Sequence, residues 1–156
     1  MLLRPPRVVL MLAISITPLR TLASTPTRTF DLAPRAACTT VSPDPPGFLE
    51  GEQINWSAGF YEPGLGACGI VNTEDDFIVA MSHIVYDAYP GFTGTNCNPI
   101  CNRPITVAFQ GKSVQVTVTD DCLVCGSNEM QLSPAAFAQL ADLSEGLIQV
   151  DWSWAD

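Results

Sequence analysis

The sequence predicts an all-β domain, a small closed barrel carrying one or two short helices. Two observations predict it. Short segments of alternating apolar and polar residues follow one another through roughly 105 residues from Gly51 onward. Against them stands a single clear helical signature.

The elements follow in order. Ile54 to Tyr61 reads as a strand and runs into the glycine-rich turn Pro63-Gly64-Leu65-Gly66. Phe77 to Met81 is an apolar run suited to a strand buried on both faces, and a short helix is expected within Ser82 to Tyr89. Ile105, Val107 and Phe109 alternate with Thr106 and Ala108, and Gln110-Gly111 then turns the chain into a strand over Lys112 to Thr119. The clear helix has Ser133 as N-cap, Pro134 as first helical residue and good helix formers from Ala135 to Ala141. Phe137, Leu140 and Ala141 form its apolar stripe. Ile148, Val150 and Trp152 alternate with Gln149 and Asp151 in a last strand, which makes Trp152 a core residue.

Two segments of different character precede residues 51–156. Residues 1–23 read as a signal peptide. Arg4 and Arg7 supply a positive start, Val8 to Ile16 an apolar run of nine residues, and Thr21-Leu22-Ala23 the small residue before cleavage. Nine residues are too few for a bilayer, which takes about twenty, and no later stretch is apolar for long enough. Residues 24–50 hold Pro26, Pro34, Pro43, Pro45 and Pro46 among Ser, Thr and Ala, and read as an extended arm. The expectation is an extracellular, secreted monomer with no membrane partner.

Charge narrows the partners. Residues 24–156 carry four basic side chains, Arg28, Arg35, Arg103 and Lys112, against 16 acidic ones, a net charge of −12. A nucleic-acid binder must neutralise phosphates with Lys and Arg, so nucleic acid is excluded, and acidic polysaccharides and anionic membranes are disfavoured. Neutral glycans and proteins remain. The six cysteines, Cys38, Cys68, Cys97, Cys101, Cys122 and Cys125, all follow the signal segment. In an oxidising compartment they read as three disulfides of open connectivity, in preference to a zinc site at Cys97/Cys101 and Cys122/Cys125. Glu74-Asp75-Asp76 lacks the spacing of a calcium loop and reads as a solvated turn. No cofactor and no metal are expected. Asn55-Trp56-Ser57 is a glycosylation acceptor by pattern, disfavoured by its place in a strand.

The most informative stretch for chemistry is VQVTVTDDCLVC, Val114 to Cys125. Val114, Val116 and Val118 share one face of an alternating strand. Continued parity places Asp120 at the inward end of that row and Asp121 on the polar side, facing water. A carboxylate ending an apolar row is partly desolvated, which raises its pKa and suits proton transfer. The alternative role for Asp120 is to accept hydrogen bonds from the following turn.

Five motifs in order carry a family resemblance: Tyr61-x-Pro-Gly-Leu-Gly-Ala-Cys-Gly69, Asp76-Phe-Ile-Val-Ala-Met-Ser82, Asn98-Pro-x-Cys-x-Arg103, Gly111-Lys-Ser-Val-x-Val-Thr-Val-x-Asp120-x-Cys-x-x-Cys125 and Leu132-Ser-Pro-Ala-Ala-Phe137. Over about residues 51 to 153 the chain resembles the fungal single-domain RlpA-like double-psi β-barrel proteins. These are the expansin-like and loosenin-like group, related to barwin, kiwellins and family 45 endoglucanases. The resemblance implies a six-stranded double-psi β-barrel with an open groove across one face. It assigns Asp120 to the groove as proton donor or polar contact, and places Tyr61 near it. Tyr61, Tyr86, Asp120 and Asp121 are the expected substrate contacts, with Tyr89, Phe92 and Trp56 as further candidates for a sugar-stacking platform. The chain departs from the pattern at Gln131, where relatives carry a second aspartate, and at Asn102, where they carry glycine. Cys38 and Cys97 are additional to the common four.

Inverting hydrolysis needs two carboxyls flanking the bond, and Asp120 has no evident partner. His83, beside a helix start, reads as structural, and no Gly-x-Ser-x-Gly motif supports a serine triad. The first expectation is therefore an expansin-like protein that binds neutral cell-wall polysaccharide, cellulose or chitin-like, and loosens it without cleavage. The alternative is a secreted protein-binding module, a cysteine-protease inhibitor or effector, and the third a weak glycosidase or lytic transglycosylase.

Overall fold

The computed structural model describes residues 48–94 and 97–155. The expected signal peptide, nearly all of the arm and Cys38 lie outside the described residues. The elements are β1 (Gln53–Phe60), β2 (Ile78–Ser82), α1 (His83–Ala88), β3 (Pro104–Phe109), β4 (Lys112–Cys122), β5 (Glu129–Leu132), α2 (Pro134–Leu140) and β6 (Ile148–Trp154). The strands close into a barrel in the order β1-β5-β2-β4-β3-β6. Two contacts are parallel, β1 with β5 and β2 with β4; the other four are antiparallel. This is the small closed barrel that the alternating pattern implies, with the six strands that the family resemblance implies, consistent with a double-psi β-barrel. Closure leaves no strand with an unpaired edge among the described residues.

Inward residues of all six strands fill the barrel. Trp56, Val79, Met81, Ile105, Val107, Val116, Val118, Met130, Leu132 and Trp152 belong to one buried cluster. Trp56 and Trp152 meet edge-on with ring centroids 5.2 Å apart. Helix α2 forms where the sequence places it. Ser133 Oγ accepts from Ala136 N, Pro134 opens the helix, and Ala136, Phe137 and Leu140 are buried. At its other end Lys112 Nζ donates to Leu140 O at 3.0 Å, satisfying one terminal carbonyl. Helix α1 occupies the Ser82–Tyr89 segment as expected.

Strict alternation along β4 fails at one point, and the failure positions the site. Val79 of β2 pairs with Val118, but the next residue, Ala80, pairs with Asp120, so Thr119 is an extra residue in β4. Val79 lies in the main core and Ala80 in a second, smaller buried group on the opposite face. Asp120 therefore shares the outer face with Ala80, and Asp121 pairs with the core residue Met81. The bulge shifts the phase by one residue, so Asp120 lies on the outer face instead of inward, and Asp121, expected to face water, is half-buried.

Two disulfides are formed, Cys68–Cys101 and Cys122–Cys125. Cys97 is exposed and unbridged among the described residues, so the expected third bridge is not seen there.

The β3–β4 hairpin turns through Gln110 at φ +47° and Gly111 at φ +81°. Two successive positive φ values suit Asn-Gly, and glutamine at the first position is strained. Gln110→Asn is expected to raise stability by about 0.5–1 kcal/mol, read as a higher urea midpoint at unchanged slope.

Candidate functional site

The registers bring four residues into one row across the outer face. Gly59 of β1 pairs with Gln131 of β5, Gln131 with Ala80 of β2, and Ala80 with Asp120 of β4. Small and polar side chains alternate along this row. The small residues leave room for the polar ones: a Cβ on Gly59 would sit 2.7 Å from Gln131 Oε1, so the Gln131 amide lies over the Gly59 backbone. Tyr61, just past β1, and the turn after β4 complete a cavity of about 430 Å³ lined by Tyr61, Ala80, Asp120, Asp121, Cys122, Leu123, Val124 and Gln131.

The loop between β1 and β2 fixes Asp120. A Cβ on Gly66 would lie 2.5 Å from Thr119 O, so only glycine lets this loop press against the bulge. Cys68 N donates to Thr119 O at 3.1 Å, satisfying the carbonyl of the extra residue. One residue earlier, Ala67 N donates to Asp120 Oδ1 at 2.7 Å, and Asp121 N donates to the same oxygen at 2.9 Å. The Cys68–Cys101 bridge ties the loop down. Tyr61 hydrogen-bonds the Asp120 carboxylate as well. Burial, then the Asp120 charge, then that hydrogen bond push the Tyr61 phenol well above its ordinary value. Tyr61 thus stays protonated as a donor. Asp120 accepts its two N–H groups from the β1–β2 loop and from its own strand, not from the turn that follows it, and it lines the groove.

Asp121 occupies a different environment. Burial first, then the negative charge of Asp87, raises its pKa to about 6; His83 opposes the shift, and Asp120 adds to it. Asp121 Oδ1 and His83 Nδ1 are buried without a hydrogen-bond partner among the described residues.

Several expectations need correction. Tyr86 is fully buried, and its hydroxyl lies 3.2 Å from Cys101 Sγ and 3.4 Å from Cys68 Sγ. It packs against the disulfide from inside and cannot contact a ligand. Trp56 and Tyr89 are also core residues, so the expected aromatic platform reduces at the groove to Tyr61. Asn55 is exposed at φ +57°, where a shift in the β1–β6 register interrupts regular pairing. The Glu74-Asp75-Asp76 expectation needs no correction: Asp76 accepts from Thr73 N at 2.7 Å and Thr73 Oγ1 at 3.1 Å within an exposed turn. Ala80, Leu123 and Val124 escaped the sequence reading. Ala80 is hidden inside an apolar run, whereas an aliphatic pair between Cys122 and Cys125 was a visible signal, since turns favour Gly, Asn, Asp and Ser.

Barrel and groove together define a small double-psi β-barrel with one hydrogen-bonded carboxylate on an open face. Residues 56–152 match the model of the double-psi β-barrel family described as lytic transglycolase, and the chain belongs to that family. It is 29% identical over 108 residues to a papain inhibitor of Streptomyces mobaraensis, covering 67% of this chain and 73% of that protein. The solved Streptomyces papain inhibitor superposes with a TM-score of 0.61 at 26% identity, over 68% of this chain and 96% of that one. An expansin of Clavibacter michiganensis, solved with cellohexaose, gives a TM-score of 0.56 at 23% identity, over 68% of this chain and 51% of the expansin.

The Asp121 shift fixes a pH dependence of stability. With a folded pKa near 6 against an ordinary 3.8, the folded state holds the proton more tightly. This contribution is fully present below pH 3.8 and is lost as pH rises through about 6. Asp121→Asn is expected to remove the loss, giving a Tm above wild type at pH 7 and a flatter Tm profile between pH 4 and 6 in thermal scans.

Proposed function

We propose that this chain is a secreted, non-catalytic binding protein whose groove face engages another protein, with a papain-like cysteine protease as the target class. The observation that carries the reading is the composition of the outer row. It presents one carboxylate, Asp120, already held by two N–H groups, and a neutral amide, Gln131, on the far side of Ala80. Such a row can hydrogen-bond a ligand and sets an amide, not a second carboxyl, across Ala80 from Asp120; Asp121 also lines the cavity but neighbours Asp120 on the same strand instead of facing it from another. The likeness to the papain inhibitor, which matches most of both chains, supports a protein target. Burial of Trp56, Tyr86 and Tyr89 removes the stacking surface that a sugar-binding face would use. Secretion is supported by the two disulfides, which persist in oxidising compartments.

Titrating papain with the purified protein is expected to give stoichiometric loss of protease activity, with Asp120→Asn retaining most of it. Full protease activity at excess protein would remove this reading.

The second reading is neutral-polysaccharide binding without cleavage. It is favoured by the four polar side chains of the groove, Tyr61, Asp120, Asp121 and Gln131, with Gly59 and Ala80 leaving room for hydroxyl groups to reach the outer row. Retention on cellulose or chitin that falls at least tenfold in Asp120→Asn, with no reducing ends released, is the outcome that would put it first. Release of reducing ends would instead point to glycosidase or transglycosylase activity.

A further inference from the structure

The turn that closes β4 is built against the usual chemistry of turns. Cys122 and Cys125 are buried, packing with Ala80 and Tyr61. Between them Leu123 is 76% and Val124 94% exposed. Both side chains are largely outside the fold, and turn preference would place polar residues or glycine there. The turn is also fixed. Cys125 N donates to Cys122 O at 3.2 Å, the disulfide joins the same two residues, and Gly126 N donates to Glu129 Oε2 at 2.7 Å as the chain enters β5. A rigid aliphatic tip thus stands at the rim of the groove, lining the same cavity as Asp120 and Asp121. Exposed aliphatic side chains held in one geometry lose little conformational freedom when a partner covers them.

We infer that the Leu123-Val124 tip is the primary contact element of this protein, inserting into an apolar subsite in the substrate cleft of a papain-like cysteine protease. The inference rests on the protease reading above and names the element that executes it. Three observations converge on this occupant. The tip is exposed and aliphatic, so its complement is an apolar hollow in a protein; a polysaccharide chain is better matched by flat aromatic faces. Asp120, Asp121 and Glu129 flank the tip with carboxylates in a chain of strongly negative net charge, which favours a cleft with a basic rim. Finally, the solved papain inhibitor aligns along 96% of its length with this chain, which supports matching the barrel to that activity.

The test compares the full-length wild type with Leu123→Ser/Val124→Ser in papain inhibition titrations. Because both side chains are exposed, the double variant is expected to keep the wild-type circular dichroism spectrum, Tm and both disulfides. Its inhibition constant is expected to rise by about 100-fold, the loss of two aliphatic contacts at an interface core. Cys122→Ser/Cys125→Ser, which leaves the tip in place but unlocks it, is expected to weaken inhibition by about tenfold. If the wild type inhibits and the folded tip variant inhibits equally well, the inference is overturned while the protease reading stands. If the wild type does not inhibit, both fall. Loss of cellulose or chitin retention in the tip variant, with protease inhibition unchanged, also overturns the inference and moves the tip to the polysaccharide reading.

Discussion

The contact between the β1–β2 loop and the bulge at Thr119 is the constraint on which the candidate site depends. The extra residue turns Asp120 outward, and a carboxylate placed there needs partners. Gly66 lets the loop approach closely enough for Ala67 N and Cys68 N to reach Asp120 Oδ1 and Thr119 O. The bulge creates the exposed acid and the loop immobilises it. Neither works alone: an unanchored bulge would slip back toward regular pairing, and the loop would have nothing to donate to.

This arrangement explains how much of the molecule was legible in the sequence. The Ser133-Pro134 start, the Phe137/Leu140 stripe and the alternation around Ile105 and Val116 act locally, so they can be read from neighbouring residues. The phase of β4 beyond Val118 is set by β2, distant in sequence, and period-two reasoning has no access to it. Parity and the family motif both single out Asp120, but parity places it on the wrong face of β4. Tyr86 failed for a related reason. A tyrosine between Ile84, Val85 and Asp87 has no sequence mark of which way it faces, and the Cys68–Cys101 bridge supplies its hydroxyl with company inside the core.

The groove face also shows how a shared barrel accommodates different tasks. A hydrolase and a binder can keep the same six strands and differ in what stands on one outer row. Here Gln131 folds over Gly59 and sets an amide in the row that also holds Asp120. Fixed hydrogen-bonding groups and a stiff aliphatic rim suit recognition of a preformed surface, because little is ordered when the partner arrives.

The two parallel ladders carry a kinetic consequence. β1 meets β5 only after 72 intervening steps of chain, from Ser57 to Glu129, and β2 meets β4 after 39, from Ile78 to Thr117. Such distant pairings must be reached against loop-closure entropy before they return any stabilisation, which makes assembly of the barrel slow. The bond between Cys68 and Cys101 bridges part of both spans, so oxidation ahead of strand docking shortens the search. Until the ladders close, the chain carries unpaired strand edges, and its hazard for self-association is concentrated in that interval.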